Sequence, residues 1–290
     1  MAAIETDSKA MASRGRLKRT TRWVFAHKSI AIGGTLIGLI MLLAAFAPFI
    51  TSADPYAQDL LATMLPPSWD HPFGTDDNGR DIFARVIYGA RISLVEVVLS
   101  VGLAVVVGVP LGILSGMVGR YVDQAIMWCM DILFAFPGIV LAILIVSVLG
   151  SSLVNLLIAI AIFSVPVYAR LSRNLTLGLK SMEYVEAAIS MGVRRHRIMT
   201  HYILRNAIGP IIVQSTLTAG TVVLSAASLS FLGLGAQPPL PEWGAMMSDG
   251  RNYLGLNIYM SLFPGLAIMV TVLGFNILGD GLRDLLDPRK

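Results

Sequence analysis

Charge is scarce in this 290-residue sequence: Asp, Glu, Lys and Arg together make up 14%, against about 25% in ordinary soluble domains. Cysteine is almost missing, with Cys129 alone, so no internal disulfide can form. The four histidines are scattered, and there is no C-x-x-C or H-E-x-x-H run, which leaves no metal site and no cofactor to expect. No G-x-x-x-x-G-K-[ST] stretch occurs, so the chain has no phosphate-cradling loop and any nucleotide hydrolysis must lie on another polypeptide. No Ser/His/Asp cluster sits at an elbow motif, and an enzyme reading finds no support. The net charge of +4 comes without aromatic-basic interleaving or a nucleic-acid recognition module, which removes nucleic acid from the expected partners.

What is present in excess is apolar surface, at 55% of residues and a mean hydropathy of +0.72. A single core of this size cannot hide so much Leu, Ile, Val and Ala from water, so lipid must solvate much of the surface. The sequence therefore reads as an all-α integral membrane protein with six transmembrane helices, at 29–50, 93–115, 124–149, 153–169, 207–230 and 258–279. Each is close to the roughly 20 residues that cross a bilayer, and only helices or closed barrels satisfy their own backbone there. The first run has a small-residue Ala45-Phe46-Ala47 site after a basic leader. Its apolar stretch exceeds a signal core and Pro48 would follow the cut, so it reads as a retained anchor.

Basic residues near span ends stay on the cytoplasmic side. The leader 1–28 holds seven, the 116–123 loop one, the 170–206 loop seven and the tail 280–290 three, so 18 of 22 fall on one side. Both termini are expected in the cytoplasm, with 51–92 and 231–257 outside. The division is then a cytoplasmic N-terminal segment 1–28, a first helix 29–50, an external loop 51–92, a five-helix core 93–280 and a cytoplasmic tail 281–290.

Within the largest cytoplasmic loop, Met182 to Met191 reads as a short helix that Ser181 could cap and Gly192 could end, with a second helix from near Arg194 toward His201. Arg194, Arg195 and Arg197 also suit an amphipathic segment on anionic lipid. Glu186, Ala187, Ala188 and Gly192 stand in E-A-A-x-x-x-G order, which resembles the signature loop of ABC importer permeases. Three further stretches resemble the dipeptide/oligopeptide/nickel branch: HPFGTDDNGRDIFARVIYGARISL (71–94), SLSFLGLGAQPPLPEWG (228–244) and FNILGDGLRDLLDP (275–288). Together they bracket the chain from about residue 29 to its end. One departure stands in Leu204-Arg205-Asn206, where the family often has Leu-Pro; Arg205 imposes no break, so a helix could run straight on into the fifth span.

That resemblance implies a type I ABC importer permease fold and a role as the second of two paralogous permease subunits in a bacterial inner membrane. It implies partners too: the paralogous subunit as a heterodimer, two ATP-binding subunits, an external or periplasmic solute-binding protein, and lipid. Glu186, Ala187, Ala188, Gly192 and His201 would couple to the ATPase, Ala187 and Ala188 by close backbone approach. The cargo would be dipeptides or short oligopeptides moved by alternating access. Nickel, glutathione, D,D-dipeptides or another small solute remain alternatives that no residue here separates. A secondary transporter, which calls for inverted repeats and broken midplane helices, and a membrane scaffold also remain.

Several residues outside the loop invite a role. The 51–92 segment has six acids against three arginines and a Pro66-Pro67 step, as in an ordered loop. Asp76, Asp77 and Arg80 could meet a binding protein, or form a solvated turn. Trp69, Phe73 and Trp243 read as interface anchors. Glu96 falls in the first turn of the second span and could snorkel; Asp131 lies deeper in the third and could bond a neighbouring helix or line the path. Gly108, Gly112 and Gly116 form a small-x-x-x-small ridge for helix packing. Pro137 and Pro166 could kink their helices where a path opens.

Overall fold

A computed structural model describes residues 27–286; residues 1–26 and 287–290, and with them most of the basic leader and the end of the tail, lie outside the described residues. The described residues are helical throughout apart from loops and one isolated bridge between Thr75 and Asp81. Five helices are long and apolar enough to cross a membrane, or six if one sharply bent pair counts as a span.

Helix α1 (Lys28–Ala45) hands over at Phe46 to a single turn, α2 (Ala47–Ile50), with Pro48 in its first turn, where a missing N–H costs nothing. An ordered loop follows as far as Asp81, whose carboxylate accepts from Ala84 N at 2.7 Å and starts α3 (Ile82–Val118). The second span thus begins 11 residues before the expected start at 93. At about 1.5 Å per residue, α3 is far longer than a ~30 Å hydrocarbon layer. It ends at Gly119, which adopts φ +69°.

The expected third span is broken: α4 (Arg120–Ala135) and α5 (Gly138–Leu149) meet at a 91° bend. Pro137 supplies the reason, since it has no N–H to donate and forces the preceding Phe136 into extended backbone (ψ 137°). Pro166 has no such effect, for α6 (Leu153–Lys180) runs through it. Helix α6 opens on Ser152, which accepts from Asn155 N at 3.2 Å, and continues 11 residues past the expected end at 169. A short helix α7 (Glu183–Ser190) leads to α8 (Arg195–Phe231), whose stretch Ile198–Leu204 is π-helical. After α9 (Trp243–Gly250), α10 (Tyr259–Leu286) completes the described residues. The coupling segment expected over 170–206 is therefore mostly helix continuing out of the spans, with a true connection only at 181–194.

Two close helix seams hold the bundle. Along α3, a Cβ at Gly108 would stand 2.7 Å from Val165 O, at Gly112 2.1 Å from Ala169 O, and at Gly116 2.7 Å from Thr176 Cβ. The ridge therefore lets α3 and α6 approach backbone to backbone, the packing that substitutes for a hydrophobic driving force in lipid. At Gly33 on α1 a Cβ would meet Leu278 N of α10 at 2.4 Å. The outer faces keep large apolar side chains exposed, such as Met41, Leu99 and Val106, as a lipid-facing surface requires.

Candidate coupling segment and transport path

Met182 is the N-cap of α7, and no side chain caps it. Ser181, expected in that place, instead closes α6, its hydroxyl donating to Gly178 O at 3.0 Å. Helix α7 is amphipathic at short range: Val185 and Ala188 are buried, while Glu186, Ala187 and Ile189 face outward beside the exposed Met191. Ala188 thus packs against its own chain and is not free for close approach by another; Ala187 is. Gly192 takes φ +74° and donates to Ile189 O at 3.0 Å, while Val193 N donates to Ala188 O at 3.1 Å. That pair of bonds is the Schellman closure, which favours glycine because other residues are strained at positive φ.

The second short helix expected from Arg194 to His201 is the opening of α8 itself. Arg205 introduces no break, and the helix passes from the segment after α7 into the span as one body. Tyr184 stacks on Tyr202 at 6.4 Å between centroids, and Asn206 Nδ2 donates to the Tyr184 hydroxyl at 3.3 Å. Those contacts pin α7 onto α8. Arg194, Arg195, Arg197 and His201 are exposed around the start of α8.

Deeper in the chain, Asp131 is exposed and takes an ion pair from Arg170 Nη2 at 2.6 Å, with that guanidinium 4.1 Å above the Phe134 ring. One turn on, Arg173 grips Asp123 through two bonds of 2.5 and 2.6 Å, and Ser115 of α3 donates to the same carboxylate. Asp131 therefore fastens α4 to α6. An apolar cavity of about 710 Å³ opens between α5, α8, α9 and α10, lined by Ile139, Leu224, Phe231, Met247, Met269 and Leu273 among others. None of the residues singled out from the sequence lines it, though Phe231 stands in the 228–244 motif and Ile139 two residues beyond Pro137.

At the other end, the residues expected to meet a partner bond inward. Asp76 accepts from Arg80 Nε at 2.6 Å and from the backbone of Asn78 and Arg80 at 2.9 Å each, and Arg85 Nε stands 3.6 Å away. Arg85 also donates to Pro55 O at 3.1 Å and Pro239 O at 3.3 Å. Asp76 and Arg80 are buried, and Asp77 is half-buried; the group knots the loop between α2 and α3 to α3 and α9. Burial and the Asp77 carboxylate hold the Asp249 carboxyl of α9 above its ordinary value. Trp243 is not an interface anchor: it is buried, its indole N–H donating to Val86 O at 3.0 Å. Phe73 stacks on Phe263 of α10 at 3.8 Å, while Trp69 and Leu61 stand fully in the open. Glu96, expected to snorkel from a first turn, lies in the fourth turn of α3 and is 1% exposed, because the early start at Ile82 carries it into the interior.

Comparison with known proteins adds an independent line. The family model for the inner membrane component of binding-protein-dependent transport systems matches residues 108–290, and that for the N-terminal transmembrane domain of oligopeptide transport permease C matches residues 16–67. A dipeptide transport system permease protein of Alkalihalophilus pseudofirmus is 49% identical over 264 residues, covering 91% of this chain and 86% of the relative. A probable D,D-dipeptide transport system permease of Escherichia coli is 43% identical over 268 residues, covering 92% and 90%. A glutathione transport system permease of Salmonella typhimurium is 47% identical over 264 residues, covering 91% and 87%. In fold, the chain resembles an inward-facing structure of the MetNI methionine ABC transporter, with TM-score 0.57 at 20% identity over 70% of this chain and 97% of that one.

Proposed function

Because the chain belongs to the family of inner membrane components of binding-protein-dependent transport systems, we propose that it is the permease subunit of an ATP-driven importer for dipeptides or short oligopeptides. The dipeptide permease named above, at 49% identity, carries the choice of cargo; the glutathione permeases at similar identity favour a second reading, a tripeptide of that kind. The chain brings no nucleotide-binding loop of its own, so hydrolysis falls to two separate ATP-binding subunits. A paralogous permease completes the path, and a solute-binding protein delivers cargo at the external face. The two chain termini lie on the cytoplasmic side, with the ATPase engaging α7.

The observation that carries this reading is the mechanical continuity of α7 with α8. Glu186, Ala187 and the exposed Met191 form the outward face of a helix that is pinned by the Tyr184–Tyr202 stack to a span bordering the 710 Å³ cavity. An ATPase that grips that face moves the cavity wall. His201, exposed on the first turns of α8, belongs to the same gripping surface. Outside, docking falls on the exposed Trp69 and Leu61 and on the open edge of Asp77, because Asp76 and Arg80 are committed to the internal knot.

Peptide-stimulated ATPase activity of the reconstituted complex tests the reading with Glu186→Lys and Gly192→Asp. Glu186 is exposed, so assembly of Glu186→Lys should survive and that variant carries the test; at Gly192 a Cβ has open space but φ +74° strains any side chain, so Gly192→Asp is scored only in complexes shown to assemble. The expected result is assembled complex without stimulation; unchanged stimulation would sink the coupling role.

A further inference from the structure

A second apolar recess, of about 440 Å³, lies between α1, α3 and α10, apart from the larger cavity. Leu39 and Leu43 of α1, Ile87 and Ala90 of α3, and Leu266 and Ala267 of α10 form its walls. Leu39 and Leu266 are exposed, so this is a groove open to the outside of the bundle. Phe73, from the loop before α3, also lines it and stacks on Phe263 at 3.8 Å. The groove therefore sits where the spans give way to loop, the level at which lipid headgroups lie. Every side chain lining it is apolar, and the one polar atom among them, the Trp243 indole nitrogen, is spent on Val86 O at 3.0 Å. Only hydrocarbon suits such walls.

Arg91 stands at the edge of this groove. Ala90 and Leu43 line it, and immediately beyond them Arg91 Nε donates to Ala44 O and Nη2 donates to Ala45 O at 3.1 Å. Those carbonyls end α1, where a cation suits the helix dipole. The contacts hold the guanidinium in place, 5.2 Å from the centroid of the Tyr88 ring, but leave its charge unanswered. Arg80, Arg85, Arg170 and Arg173 each meet a carboxylate. Among the described residues Arg91 meets none, and its Nη1 donors have no acceptor.

We propose that the groove holds an acyl chain of one phospholipid, whose phosphate pairs with Arg91. A hydrocarbon tail and an anionic head in one molecule answer both features, and the planar guanidinium matches phosphate through paired N–H donors. Any lipid chain can wet the groove, so the preference rests on the charge. One basic residue near a lipid surface is worth about a fivefold preference for an anionic head. Bound in this way, the lipid bridges the end of α1 to α3 and α10.

Photo-crosslinking of the full complex in lipid tests this, with a phosphatidylglycerol carrying a diazirine on one acyl chain and a diacylglycerol carrying the same chain. The share of labelling that falls on Leu266 and its neighbours in the groove should be about fivefold higher for the phosphatidylglycerol. Arg91→Gln should bring the two probes level. Arg91→Lys keeps the charge but gives up the fork to Ala44 O and Ala45 O, and should preserve most of the difference; a residue that only closed α1 would lose it in both variants. Ala267→Phe, which fills the groove, should cut labelling there by both probes. Equal labelling by the two probes in the wild type, or a difference that Arg91→Gln leaves unaltered, overturns the proposal. So does a groove that neither probe labels, since another subunit then covers it.

Discussion

The α3–α6 seam allows a matched test in a single helix. At Gly112 a Cβ would stand 2.1 Å from both Ala169 O and Ser172 Oγ, whereas at Gly102, on the same helix, nothing lies within 4 Å. Gly102→Ala should therefore return only the gain in helix propensity, about 0.5–1 kcal/mol. Gly112→Ala gains the same but must push two backbones apart, and overpacking of that kind costs about 1–3 kcal/mol. Backbone Ala169 O cannot swing aside as a side-chain tip would, which places the cost toward the upper end. The propensity gain cancels between them, so the two variants should differ by roughly 2–3 kcal/mol, or roughly 4–12 °C at about 2–4 °C per kcal/mol. Thermal melting of the purified complex in one detergent, both variants side by side, measures the gap. If Gly112→Ala melts within a degree or two of Gly102→Ala, the seam is not backbone-close and the account of how these helices hold together fails.

Arg173→Lys, which keeps the charge but loses the paired grip on Asp123, should cost roughly 1 kcal/mol, whereas Arg170→Lys at the more exposed Asp131 pair should cost less than about 0.5 kcal/mol; equal melting shifts would contradict that ranking. Gly79→Ala places a Cβ 1.8 Å from Asp59 O at a φ of +72°, so the loop between α2 and α3 should open and limited proteolysis should cut within residues 51–81 at least several-fold faster than in the wild type; unchanged cleavage would show that the Asp76–Arg80 knot holds the loop without this turn.

Hydropathy made the membrane class and the cores of five helices legible, because lipid selects for long apolar runs. It misplaced their ends for the same reason. Arg170, Arg173 and Lys180 read as loop, yet α6 continues through them because Asp131 and Asp123 of α4 and Met117 O of α3 receive their charges. Likewise 82–92 looked external, although Asp81 caps a helix there; the capping carboxylate was the signal. Gly192 was legible as a helix terminator since its positive φ is a local property. The burial of Glu96, Asp76 and Arg80 was not, because each depends on segments distant in sequence: the start of α9 at Glu242 for the first, Pro239 and Asp249 around Arg85 for the knot. The apolar cavity had no local signature either, being made where four helices fail to meet.

The right-angle break at Phe136–Pro137 has a bearing on where water goes. Ending α4 and starting α5 within a few residues strands carbonyls of one helix and N–H groups of the other, and no side chain caps the start of α5. Hydrocarbon offers such groups nothing. That corner must therefore be wetted or sealed by another polypeptide, which makes one flank of this otherwise oily molecule unsuited to bare bilayer and gives it a front and a back.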